Sequence, residues 1–197
     1  EYTGPRGTLS VPKSDAKKPA KDEDLAFANI ATLHHLLTTK QVSSVELTKF
    51  FLDRLQKHDP VLKCVVSFTD DLAMKQAKAA DEEIAAGKHR GPLHGIPWGA
   101  KDLLSVAGYK TTWGSEYYKN QTLPETATVV KKLADAGAVL VAKLTLGALA
   151  WGDQWFGGQT KNPWNVKLGS SGSSAGSASS VSAGCLPFAI GSETYGS

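Results

Sequence analysis

Three segments of this 197-residue chain carry the side chains with which it could do chemistry: Gly95-Ile96-Pro97-Trp98-Gly99-Ala100-Lys101-Asp102, a Gly/Ser-rich stretch from Gly169 to Ser180, and the final Gly191-Ser192-Glu193-Thr194-Tyr195-Gly196-Ser197. The last run follows the apolar Leu186-Pro187-Phe188-Ala189-Ile190, which reads as a strand. A tight turn after a strand can present a hydroxyl, here Ser197, beside several backbone N–H groups, the arrangement that binds an oxyanion. A serine is a poor nucleophile until a base removes its proton. Two bases are near the Gly-Ile-Pro segment. His94 with Asp102 would complete a Ser-His-Asp arrangement; Lys101 would serve only if burial or its neighbours leave it uncharged. Residue types leave that choice open.

The Gly/Ser stretch has the composition of a flexible linker. Its flanks argue against one: Asn162-Pro163-Trp164-Asn165 precedes it and Val181 and an apolar strand follow, so it lies inside a domain. Small residues in a core let backbones approach closely and free amides to face a ligand. A phosphate loop is excluded because no Gly-Lys pair stands where one requires it.

The elements that must position these groups follow from periodicity. Residues 1–25 read as an extended arm, and 26–197 as part of one domain. Leu33, Leu36 and Leu37 form one helical face, and a capping box of Ser43 and Glu46 opens a second helix with Leu47, Phe50, Phe51 and Leu55 as its buried stripe. Pro60 is expected to end that helix. Val61 to Val66 has strand character, Asp70 to Ala86 is an Ala-rich helix stopped by Gly87, Pro124 to Ala136 a helix stopped by Gly137, and Ala138 to Ala142 an apolar strand. Apolar strands alternating with helices imply α/β architecture.

Bulk properties exclude several classes of function. With 22 basic and 19 acidic residues the charge is too balanced to imply nucleic acid bound directly, and no apolar run is long enough for a membrane span. Cys64 and Cys185 match no metal-ligand spacing and read as buried free thiols, with one disulfide as the alternative. His34, His35, His58 and His89 have no ligand spacing.

Taken together and in this order, the three segments resemble the motifs of the amidase signature family, approximately Gly-Ile-Pro-x-x-x-Lys-Asp, Gly-Gly-Ser-Ser-Gly-Gly-Ser and Gly-Ser-Asp-Thr-Gly-Gly-Ser. The resemblance runs from about residue 28 to the end. It implies a three-layer α/β/α sandwich around a mixed sheet, of which this chain is the amino-terminal part, truncated at the nucleophile. It implies Lys101 as the catalytic base, Ser173 as a bridging serine in a cis peptide and Ser197 as the acylated serine, with the backbone amides of Thr194, Tyr195, Gly196 and Ser197 as the oxyanion hole and with neither metal nor organic cofactor. Glu193 and Tyr195 depart from the family's usual Asp and Gly. The implied reaction is hydrolysis of a small-molecule carboxamide, by an enzyme that admits a homo-oligomer, a second chain or the remainder of its domain as partner; the expected compartment is the cytoplasm, with export after removal of a signal segment as the alternative. The A-type polypeptide of an amidotransferase shares these motifs, although Leu144 to Gly152 is less acidic than the matching run there. The third reading is a non-catalytic fragment seeking a partner through unpaired strands.

Overall fold

A computed structural model describes residues 12–197, in which the helices and strands follow in this chain order: α1 (Ile30–Thr38), α2 (Ser44–Leu62), β1 (Val65–Phe68), α3 (Asp70–Ala85), β2 (Pro97–Lys101), α4 (Thr128–Asp135), β3 (Val139–Leu144), β4 (Gln154–Trp155), β5 (Gly158–Gln159), β6 (Lys161–Asn162), β7 (Asn165–Gly169), α5 (Ala175–Ser182) and β8 (Ala189–Ile190). Four of the strands form one sheet in the order β1-β3-β2-β8. β1 runs antiparallel to β3, whereas β2 is parallel to both β3 and β8, so the sheet is mixed. β4–β5 and β6–β7 are small antiparallel pairs apart from it.

Alternation along β2 and β3 builds a core on each face. Val139 and Val141 join Leu33, Leu37, Leu47, Phe51 and Leu55 from α1 and α2 on one side. Trp98, Ala100 and Leu140 join Val130 of α4 on the other. Helices therefore cover both faces of a buried, largely parallel centre, the arrangement expected of α/β folds. Both cysteines are buried free thiols. Burial raises the Cys185 thiol to about 11, so it stays protonated at neutral pH.

Local chemistry explains where the elements begin and end. Ser43 Oγ accepts from the Glu46 N–H while Glu46 returns a carboxylate oxygen to the Ser43 N–H, as the capping box predicts. Pro60 does not end α2. The helix runs on to Leu62 and closes at Lys63, whose φ of 50° is left-handed and whose N–H donates to the Asp59 carbonyl. Asp59 Oδ1 then accepts from Cys64 and Val65, so β1 starts later than the apolar run suggests. α4 begins at Thr128 because the preceding residues are committed elsewhere: Ala127 N donates to the Ser105 carbonyl and Thr126 Oγ1 accepts from Ala107. β3 extends beyond Ala142 to Leu144, and of 186–190 only Ala189 and Ile190 pair as strand. Phe50 is half-buried.

Of the arm, residues 1–11 lie outside the described residues. Asp22–Phe27 form a 3-10 turn that buries Leu25 and Ala26. Among the described residues no helix is long and apolar enough to cross a membrane.

Candidate active site

Parallel pairing of β2 with β8 brings the ends of the first and third motifs together. Lys101 is the last residue of β2, and β8 leads directly into Gly191 and Ser192. The Gly/Ser stretch is neither linker nor loose loop: it ends β7, passes through a cis Gly172–Ser173 peptide and becomes α5. Small residues let α5 lie close to the sheet. Gly176 rests on the Cys64 carbonyl and on Thr145, where a Cβ would come within 3.0 Å of fixed atoms. Gly99 on β2 likewise has no room for a Cβ, against Leu144 and Leu186.

Lys101 has no exposed surface, and its Nζ meets three hydroxyls: Ser173 Oγ at 2.8 Å, Ser192 Oγ at 2.8 Å and Ser174 Oγ at 3.0 Å. No carboxylate is in hydrogen-bond contact with it among the described residues. Burial holds this amine below the ordinary lysine pKa, opposed by the charge of Glu193. Such a lysine can act as a base, which an exposed ammonium cannot.

Ser197 lies against the same cluster through its main chain. Its carbonyl oxygen accepts from Ser174 Oγ at 2.6 Å and from the Ser174 N–H at 3.2 Å. Among the described residues no hydrogen bond joins Ser197 Oγ to Ser173. The amides of Gly196 and Ser197 donate to the two oxygens of the Glu193 carboxylate, each at 2.6 Å. Those bonds hold the Glu193 carboxyl below its usual range, and a further one from the Thr194 amide adds to them. Tyr195 is exposed, and the φ of 80° in this turn falls on Gly196.

His94 and Asp102 are not brought together. His94 is buried against Glu83, 3.1 Å away, and its Nδ1 accepts from Arg90 N. Asp102 accepts from the Thr112 amide and hydroxyl and pairs with Lys143 Nζ at 2.6 Å. Sequence reasoning missed Ser174 and Ser192 as contacts of Lys101, and it missed Lys143 altogether. Both serines lie inside the quoted motifs, whereas Lys143 falls just past the apolar run Ala138 to Ala142. Among the described residues no group of three or more His, Cys, Asp or Glu is gathered as a metal ion would need.

Residues 46–197 match the sequence profile of the Amidase family. This chain belongs to the amidase signature family. Within it, the chain is 43% identical over 168 residues to the A subunit of the glutamyl-tRNA(Gln) amidotransferase from Heliobacterium modesticaldum, covering 84% of this chain and 34% of that protein. It is 44% identical over 171 residues to the corresponding polypeptide of the same name from Pseudomonas aeruginosa, covering 85% and 35%. Among solved structures, a peptide amidase in complex with the competitive inhibitor chymostatin superposes with a TM-score of 0.79 at 36% identity, covering 85% of this chain and 36% of that one. A fatty acid amide hydrolase superposes at 0.81 with 26% identity, over 88% and 31%. The chain thus spans about a third of the length of the relatives it matches.

Proposed function

We propose that this chain carries the reacting groups of an amide hydrolase, with Lys101 as base, Ser173 as relay and Ser197 as nucleophile. The observation that carries the reading is a wholly buried lysine whose Nζ lies 2.8 Å from the hydroxyl of Ser173 and touches hydroxyls rather than a carboxylate. In the first step uncharged Lys101 accepts the Ser173 proton, Ser173 accepts that of Ser197, and Ser197 Oγ bonds to the amide carbon. As the carbon–nitrogen bond breaks, the proton returns along the same path to the leaving amine or ammonia. Water then cleaves the ester, giving the carboxylic acid and free serine. The relay needs Ser197 Oγ to close onto Ser173 when substrate binds, and catalytic hydrogen bonds commonly tighten at that stage. An oxyanion site at 194–197 needs the Gly196 and Ser197 amides to leave the Glu193 carboxylate.

The test is covalent. A serine-directed fluorophosphonate is expected to attach at Ser197 in the wild type and not in Lys101→Ala, which keeps its fold but loses turnover. An adduct at another residue, or full turnover in Lys101→Ala, would overturn the assignment.

Similarity to amidotransferase A subunits favours a second reading, in which the amide is that of glutamine and the ammonia passes to an acyl group on a partner's substrate. Ammonia release from glutamine with and without candidate partner chains separates the two. In either reading a second chain, or the remainder of a longer domain, supplies further walls of the substrate pocket.

A further inference from the structure

Lys143 is a second lysine with no exposed surface, and no step of the relay uses it. It pairs with Ala100 across β2 and β3, and so leaves the sheet on the face opposite Lys101. Asp102, the residue after Lys101, turns to that same far face, while its N–H donates to the Leu144 carbonyl and continues the pairing of β2 with β3. There the Lys143 ammonium meets Asp102 Oδ1 at 2.6 Å, the Lys110 carbonyl oxygen at 2.9 Å and Thr111 Oγ1 at 3.3 Å. Asp102 Oδ2 accepts from the Thr112 N–H at 2.8 Å and from the Thr112 hydroxyl.

Donor and acceptor counting characterises the two lysines. An ammonium has three N–H donors and no acceptor. Lys143 faces a carboxylate, a carbonyl and a hydroxyl, all of which accept. A free amine instead has two donors and one lone pair. Around Lys101, Ser174 directs its hydroxyl hydrogen to the Ser197 carbonyl oxygen at 2.6 Å and accepts from Nζ, as Ser173 and Ser192 do at 2.8 Å each. Three hydroxyls accommodate an ammonium, or an amine if one of them turns its hydrogen to the lone pair, whereas Lys143 alone of the two has a carboxylate beside it.

We propose that Lys143 is a positioning residue for Lys101: by saturating Asp102 it commits the one carboxylate buried from solvent among the described residues to the far side of β2, and it pins the strand end from which Lys101 reaches the serines. On its own side Lys101 faces Ser173, Ser174 and Ser192, with Glu193 acting through charge. On the other side stand Asp102 and Lys143. The proposal rests on the reading of Lys101 as the base, but its test does not require turnover.

The ionisation of each lysine is followed by NMR in chain labelled with carbon-13 at lysine Cε, with Lys101 and Lys143 assigned through Lys101→Met and Lys143→Arg. Lys143→Met leaves a buried carboxylate with no cation, and the Lys101 midpoint is expected to rise by about one pH unit or more. The double variant Asp102→Asn with Lys143→Met removes both charges and is expected to return the midpoint to the wild-type position. Where hydrolysis is measurable, kcat near neutral pH falls in the single variant and recovers in the double, with KM little changed. An unmoved Lys101 midpoint in folded Lys143→Met, or the same rise in the double variant, overturns the proposal. If Lys143→Met does not fold, the double variant decides: a fold with the wild-type midpoint supports the pair's role, and a shifted midpoint or no fold rejects it. A fluorophosphonate adduct at a residue other than Ser197 would reject the relay and leave these midpoints as a separate result.

Discussion

Gly176→Ala should damage the site without touching a reacting group. Gly176 sits in the first turn of α5, two residues past Ser174, and its N–H donates to the Thr145 carbonyl at 2.9 Å. A Cβ added there would lie 2.6 Å from Thr145 Oγ1 and nearer still to the Cys64 carbonyl oxygen and the Thr145 nitrogen. Thr145 cannot rotate away cheaply, because its hydroxyl is buried in a 2.6 Å hydrogen bond with Thr160. The nearest clash is the Cys64 carbonyl oxygen at 2.3 Å, so restoring an ordinary 3.4 Å contact requires α5 to retreat by about 1.1 Å. If the motion is carried to Ser173, its 2.8 Å bond to Lys101 opens to about 3.9 Å, where it no longer counts as a hydrogen bond. Overpacking of this kind costs roughly 1–3 kcal/mol, which lowers Tm by about 2–4 °C per kcal/mol in a domain of this size. A displacement of about 1 Å at a reacting group costs up to about 10²-fold in rate. Thermal melting and hydrolysis of a reporter amide, or the rate of fluorophosphonate labelling, measure the two effects. A wild-type Tm refutes the packing argument; a lowered Tm with an unchanged rate refutes the link from α5 to Ser173.

Two further outcomes follow from charge and capping. In the proposed relay the free amine of Lys101 is the working form, so activity should rise with pH through a Lys101 midpoint lying below the ordinary lysine value, because burial depresses it. Glu193 opposes that depression, so Glu193→Gln should move the acidic limb of the rate profile to lower pH; a limb that stays in place or moves up contradicts the sign. Far from the site, Ser43→Ala removes half of the capping box of α2 and should cost about 1 kcal/mol by chemical denaturation while leaving hydrolysis unchanged.

Local signals in the sequence are legible where one residue decides the matter. Ser43 and Glu46 cap α2, Gly87 and Gly137 take left-handed φ after α3 and α4, and the small residues of 169–180 allow a helix to lie on the sheet. Pro60 misleads because a proline removes one N–H from a helix without ending it, whereas the closing is done by Asp59 with both its carbonyl and its carboxylate. The pairing of Lys101 with Ser173 needs the three motifs to be recognised together, since 72 residues separate the two. The contact of Asp102 with Lys143 has no comparable cue. Nothing in an apolar strand says which neighbouring carboxylate its lysine will meet, and that depends on the register of β2 against β3.

β2 and β8 are hydrogen-bonded neighbours running the same way, so Lys101 and Ser192 depart from adjacent strand tips on a single slab. Bending or breathing of that slab carries both tips together, and the spacing between amine and hydroxyl survives motions that would separate groups mounted on different bodies. Mild heat or low denaturant should therefore leave the pair intact until the sheet itself melts. Any graded loosening on the way would begin past Ser192, in the turn where Glu193 grips its own backbone.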